Sequence, residues 1–474
     1  MDTQCSREQL AFHGFGRRSV QGCFDGGRLS SDGGGLLLRE VEQRLGLFDR
    51  LAACFVDHRN ANSVEHSVRA LLAQRIYGLA LGYEDVNDHD ELRDDSVLAL
   101  LVGQSDLTGE RRARVRDRGH ALAGSSTLNR LELATPLTAA SDRYKRIVAD
   151  TAGLDRLLVD VFVEAHAEAP EEIWLDLDAT DDPLHGHQEG RFFHGYYRCY
   201  CYLPLYIFCG EHLLCARLRP SNQDASAGSI DELERIVGRI RARWPRTRIA
   251  IRGDSGFCRE AIMAWCEAHG VGYVLGLARN ARLQRALGEA MAAARAEHER
   301  TGERARCYAE LRYRTRKSWS RTRRVVGKAE YLPGKANPRF VVTNLAVERA
   351  AAPRLYETLY CARGDMENRI KEQQLGLFAD RTSSATMAAN QLRLYCSAFA
   401  YVLLDGLRRL GLAGTAHARA QCTTIRLKWL KIGARIRISV RRVRLSFSQA
   451  YPYAEDFARI LANIQRHPPW LAPG

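Results

Sequence analysis

No apolar run in this chain of 474 residues approaches the roughly 20 residues that a membrane-spanning helix needs. Met1–Arg17 holds no apolar segment of the kind a secretory signal carries, so a chain that is neither inserted nor exported is expected. Cys-x-x-Cys pairs are missing although there are 13 cysteines, which argues against a structural zinc site. The odd, scattered cysteines fit reduced thiols in a cytoplasm, and Cys199-x-Cys201 alternates with aromatics as packing residues in a strand do. Internal repeats and low-complexity blocks are also missing. Acidic residues are the scarcer charge, 56 against 70 basic, for a net charge of +14. That excess favours a polyanionic partner, nucleic acid before an anionic membrane surface.

What is there reads as a globular protein of several domains, with 46% hydrophobic and 27% charged residues. Ser30-Ser31-Asp32-Gly33-Gly34-Gly35 reads as a turn with a helix start. A phosphate-cradling loop would need a preceding strand and a following Lys, and both are lacking. Val64, Val68, Leu71, Leu72, Ile76 and Leu79 keep a helical period. The acidic run from Glu84 to Asp95, with Asp85, Asp88, His89, Asp90 and Glu91, reads as a solvated, capping loop. Helical patterns over 127–133 and 140–166 make residues 1–170 a mostly helical region.

After Pro170 the pattern changes. Ile173 to Asp178 alternates as a strand. Residues 200–208 and 212–218 follow as strands around a Cys209-Gly210-Glu211 hairpin turn. A helix over 230–244, a strand over 248–252, a helix over 260–269 and a strand over 272–277 complete a mixed α/β sheet. Strand 339–345 and helices from about 352 to 375 and 385 to 410 lie beyond a basic stretch. The tail after Gly411 is strongly basic.

Asp178 ends the first strand of the sheet and Asp254 follows the fourth, where α/β clefts form. Two carboxylates on neighbouring strands, joined by a third from a packed helix, make an oxygen-rich site for magnesium. Asp254 could equally cap the helix after it.

Three motifs in order narrow this choice. They are Asp176-Leu177-Asp178-Ala179-Thr180-Asp181-Asp182-Pro183-Leu184-His185-Gly186, Arg252-Gly253-Asp254-Ser255-Gly256-Phe257, and Tyr360-Cys361-Ala362-Arg363 followed by Glu367. In these the chain resembles the DDE transposases of bacterial insertion sequences, closest to the insertion sequence thirteen-eighty group. The resemblance runs from the Ser31-Asp32-Gly33-Gly34 turn to Ala450-Tyr451-Pro452-Tyr453. It implies a ribonuclease-H-like mixed sheet core with an inserted mainly β subdomain at about 280–338. It also implies Mg2+ or Mn2+, as two ions, on the catalytic residues Asp178, Asp254 and Glu367. The family's Asp-x-Thr step falls on Asp178-Ala179-Thr180, with Asp176 the rival two residues earlier.

The family's helical signature of Tyr, Arg, Glu and Lys matches at Tyr360, Arg363 and Glu367, but Gln374 stands at the lysine position. At about 100° per residue, Lys371 shares a face with Glu367, so Lys371 or Arg363 is the expected phosphate contact. Related transposases stack an aromatic of the insertion on an unpaired base. Trp319 is that candidate here, in a segment, Arg312 to Lys328, with eight basic and no acidic residues. Arg316 and Arg321 flank it. Arg426 to Arg444 is a second such stretch, with a bulge expected at Arg441-Arg442 and DNA contact as its role. His185, His187 and His194 are expected to touch DNA or to be structural.

The expected division is therefore an end-recognising region over 1–170, a catalytic core over 171–410 and a basic region over 411–474. The expected activity is metal-dependent cleavage at transposon ends and strand transfer. The partners are double-stranded DNA, both terminal repeats and target, and a second copy of the chain when assembled on DNA. A nuclease without strand transfer and a non-catalytic DNA-binding protein are the alternatives.

Overall fold

A computed structural model describes residues 9–134 and 146–469. The chain divides into two compact units. One unit comprises residues 1–52, 59–131 and 406–474, and the other residues 53–58 and 132–405. Described residues from both ends of the sequence thus contribute to one unit, and residues 146–170 go with the sheet rather than with the N-terminal helices.

In the first unit, helix Val68–Leu81 is buried almost all round. Ser67 starts it by accepting from Ala70 N–H, and Gly82, at φ 98°, stops it. Asp95 caps helix Ser96–Val102 through two backbone N–H groups, so the acidic run does supply a cap. Asp32 does not cap; it is buried, accepts from Tyr83 Oη at 2.7 Å and pairs with Lys431 Nζ at 2.6 Å. The glycines after it form a tight turn against the C-terminal segment, where a Cβ on Gly34 would lie 1.9 Å from the Trp429 carbonyl oxygen. Strands Ala434–Ile438 and Val443–Phe447 form a hairpin whose first strand pairs with Leu29–Ser30. The hairpin register is unbroken, and Arg441-Arg442 lies in its turn, closed by Ser439 N–H to Arg442 O at 3.0 Å. The register shift expected from sequence is this turn, not a bulge.

The second unit holds a nine-stranded mixed sheet. Its order is His212–Arg217, Leu205–Cys209, Glu172–Ala179, Arg248–Gly253, Gly272–Leu277, Arg339–Thr343, Arg323–Leu332 and Ala305–Tyr313, with Lys335–Ala336 paired to Arg323–Leu332 off this path. Glu172–Ala179, Arg248–Gly253 and Gly272–Leu277 are parallel, and the outer strands antiparallel. One face carries the main core. Leu175, Leu177, Ile249, Ile251, Tyr273 and Leu275 pack there with helix residues such as Phe162, Ile236 and Met263. Because side chains alternate along a strand, Asp176 and Asp178 lie on the other face, the side of Val274, Val341 and the helical segment that begins near Leu355.

The segment expected as an insertion is no separate subdomain. Its strands Ala305–Tyr313 and Arg323–Leu332 extend the main sheet, and helix Gly288–Thr301 packs beside them. Residues 200–208 also split. Cys199–Tyr202 joins a small sheet with Asp182–Pro183 and Phe192–His194, and Leu205–Cys209 joins the large one. The helix expected over 140–166 is a strand at Ile147–Ala149 followed by helix Thr151–Glu164; residues 140–145 lie outside the described residues. No helix among the described residues is long and apolar enough to cross a membrane.

Candidate active site

The Glu172–Ala179 and Arg248–Gly253 strands pair in parallel, with Arg252 opposite Asp176 and Gly253 opposite Leu177. Asp254 comes one residue beyond that pairing and Asp178 one residue beyond Leu177, so both carboxylates leave the sheet at the same level. Burial also separates the two rival aspartates. Asp176 is 3% exposed and makes a bidentate pair with Arg252, at 2.5 and 2.7 Å. Arg252 in turn donates to the Leu359 carbonyl at 2.9 Å. Asp176 is therefore taken up in holding the strands to the next helical segment, whereas Asp178 opens into a cleft.

The helical segment from Arg354 to Gly376 supplies the third acid. It is not one α-helix. A wide-turned stretch Arg354–Tyr360 and a tight turn Cys361–Arg363 precede α-helix Gly364–Lys371, and a second wide stretch runs over Glu372–Gly376. Tyr360 is half-buried behind the sheet; a Cβ on Gly276 would fall 2.6 Å from its hydroxyl and 3.0 Å from Ser255 N. Gly276 is thus a site residue that the sequence did not disclose, because a side chain there would meet both the Tyr360 hydroxyl and the Asp254–Ser255 backbone. Arg363 donates to Asp178 Oδ2 at 3.1 Å and to Glu367 Oε1 at 2.9 Å.

Asp178, Asp254, Glu367, Arg363, Lys371 and Gln374 all line one cleft of about 540 Å³. Lys371 is exposed on its wall. Gln374 donates to the Asp181 carbonyl at 3.0 Å, which is why an amide serves at the position expected to be lysine. Asp254 Oδ1 accepts from Gly256 N–H at 2.8 Å. It shapes its own turn and does not cap helix Glu260–Ala268, which has no side-chain cap. Burial, and the negative charges of Asp254 and Glu367, push the Asp178 carboxyl up to about 6, against the pull of Arg363 and the Ala179 N–H. Asp178 thus senses both other acids across the cleft, with Arg363 as the cation between Asp178 and Glu367.

Among the described residues, no group of three or more His, Cys, Asp or Glu is drawn together tightly enough to hold a metal ion as it stands. The donor set nonetheless suits a hard divalent cation, being carboxylate oxygen throughout.

The basic stretch departs from expectation. Trp319 is 4% exposed, packs edge-on to Tyr313 at 5.7 Å and lies beneath Arg323. Its ring belongs to the core and has no face for a base. Arg323 pairs with Glu260 and Glu267, Arg324 with Glu310, and Lys328 with Glu330. Much of the apparent cationic surface is therefore neutralised within the unit. Arg316 stays exposed in the loop, and Arg321, also exposed, lies 3.4 Å from Glu267. His194, Tyr196 and Tyr197 line the cleft, while His185 and His187 are exposed nearby in the sequence.

Residues 12–469 match the family described as transposase DDE domain group 1. The chain belongs to that family. The match covers all three acids and the helical segment that carries Glu367. Among solved structures, the chain is similar to the cryo-EM structure of a piggyBac transposase synaptic complex with hairpin DNA. It is 12% identical, with a TM-score of 0.41 and coverage of 84% of this chain and 80% of that one. No curated protein matches this DDE-domain chain.

Proposed function

We propose that this chain is a DNA transposase of the bacterial insertion sequence thirteen-eighty type, with a ribonuclease-H-like core, that cuts transposon ends and joins them to target DNA. The observation that carries this is the convergence of Asp178, Asp254 and Glu367 on one cleft, in a chain whose family is defined by such acids. Asp178, Asp254 and Glu367 would hold Mg2+ or Mn2+. When bound, two such ions activate the attacking oxygen and stabilise the leaving oxygen of a phosphodiester.

The chain's own groups do the rest. The Arg252–Asp176 pair and the Tyr360–Gly276 contact fix the strands that present Asp178 and Asp254. Gln374 ties the Glu367 segment to the loop after Asp178. Lys371, exposed on the wall, offsets the negative charge that a phosphate meets among three carboxylates. Arg363, once released from either acid, is in place to do the same. Double-stranded DNA is the partner, and the arginine hairpin at 434–447 supports this, since Arg435, Arg437, Arg441, Arg442 and Arg444 are all exposed. Assembly as a homodimer on DNA and action in the cytoplasm complete the reading.

The test is cleavage and strand joining on oligonucleotides that bear the element's ends, in Mg2+ or Mn2+. Asp178→Ala, Asp254→Ala and Glu367→Ala should each lower both steps by at least about a hundredfold, since each removes part of several kcal/mol of transition-state stabilisation. Activity that survives all three substitutions rules the mechanism out.

A further inference from the structure

We infer that the hairpin of strands Leu10–Phe15 and Arg18–Gly22 is an arm that seats in an acidic groove on a second copy of this chain. The inference goes beyond the assembly on DNA proposed above, because it needs no DNA. Among the described residues the two strands pair only with each other, and residues 10–21 are all exposed. Phe12 stands opposite Val20 and is 58% exposed, and Phe15, beside the turn, is 79% exposed. A two-stranded hairpin is marginal in water on its own. Open apolar side chains on unpaired strand edges mark an interaction surface.

What covers the arm has to be negative as well as partly apolar. Arg17 and Arg18 sit at its tip, after Gly16 at φ 63°, and no acid lies between Leu10 and Gly22. The same unit carries a surface of that kind. Asp88, Glu91, Asp94 and Asp95 line a groove of about 610 Å³ together with Leu29 and Tyr83, and no Lys or Arg lines it. Lys431, over the Tyr83 ring at 4.1 Å, is committed to Asp32, and His120 offsets Asp94 alone. Burial, aided by Asp32, pushes the Asp95 carboxyl up, so an added cation relieves the groove. Such a groove repels a polyanion, which selects a basic protein segment over DNA.

A second copy supplies both halves of the match. Residues 23–28 lead from the arm straight to Leu29 at the groove, yet the arm stays exposed on its own chain. Two copies related by a two-fold axis satisfy both surfaces at once, each arm entering the other copy's groove. The tip arginines then meet carboxylates in charge-assisted hydrogen bonds. Phe12 and Phe15 gain cover from the apolar side of the groove, where Leu29 is 66% exposed.

The full chain can be followed by sedimentation velocity in the absence of DNA, where wild type should dimerise. Arg17→Glu with Arg18→Glu, and separately Glu91→Arg with Asp94→Arg, should each raise the dimer dissociation constant at least about a hundredfold, since like charges then face each other. Mixing these two variants should restore the dimer, because each arm then meets a groove of opposite sign. Phe15→Ser, which keeps every charge, should weaken the dimer about tenfold. A monomeric wild type, a dimer that persists in both charge variants, or a mixture that stays monomeric overturns the inference. So does a dimer untouched by Phe15→Ser. Loss of duplex binding in Arg17→Glu with Arg18→Glu, with the dimer intact, would assign the arm to DNA instead. Cleavage plays no part in this readout, so a charge-swapped dimer in a chain that never cuts DNA removes the catalytic reading alone.

Discussion

Asp176 and Asp178 are two residues apart on one strand face, and their surroundings give them opposite roles. Asp176 is matched by Arg252 in a buried pair. Removing one partner of such a pair strands the other charge, so Asp176→Ala should lower unfolding free energy by about 3–5 kcal/mol, measurable by urea denaturation. Asp178 instead carries an anion that its surroundings disfavour. Its pKa rises from the ordinary 3.8 to about 6 on folding, so the folded chain holds a proton that the unfolded chain has released between those values. Stability then falls as pH rises through that window. Asp178→Asn, in EDTA, should match wild type below pH 4 and become the more stable form as pH climbs to about 6. Equal stability of the two at pH 7 would show that the cleft imposes no such penalty.

At the level of elements, the strands of the sheet were legible because they are short apolar or alternating runs bounded by Gly, Pro and charged residues. Strands 172–179, 212–217, 248–253 and 272–277 follow from that pattern nearly residue for residue. The failures share a cause. Trp319 among arginines looks the same in sequence whether its ring turns outward to DNA or inward to Tyr313. The partners that neutralise Arg323, Glu260 and Glu267, lie on a helix some sixty residues away. The resemblance likewise implied a mainly β insertion at about 280–338, but not that 305–313 and 323–332 would extend the main sheet. Asp178, Asp254 and Glu367 were legible through motif resemblance; the contacts that position them, Arg252–Asp176 and Tyr360 against Gly276, were not. The Gly33-Gly34-Gly35 turn was legible as a turn but not as a packing surface. A methyl on Gly34 meets the Trp429 carbonyl at 1.9 Å, backbone that cannot step aside. Gly34→Ala should therefore destabilise the unit by about 1–3 kcal/mol or more, seen as a lowered Tm in calorimetry, whereas Gly433→Ala, with open space around it, serves as the matched control.

Across the whole molecule, net charge proves a poor guide to where DNA would lie. Arg321, Arg323 and Arg324 of the 312–328 stretch are spent on Glu260, Glu267 and Glu310, while the 434–447 hairpin keeps its arginines exposed. Replacing Arg437, Arg441 and Arg442 with Ala should reduce the slope of log affinity against log salt by about 0.9 for each phosphate that is no longer neutralised. A slope equal to wild type would take the hairpin off the DNA path.

The joining of both chain ends in one unit also sets an order in time. Leu29–Ser30 waits for Ala434–Ile438 to complete its sheet, and Gly34 waits for Trp429. On the ribosome, residues 53–58 and 132–405 are all made before these partners emerge, and with about 400 residues between each pair of partners the wait at about 5–20 residues per second is about 20–80 seconds. The unit that houses the cleft can thus settle first, and the other unit closes only after the segment from Trp429 to Ile438 has emerged.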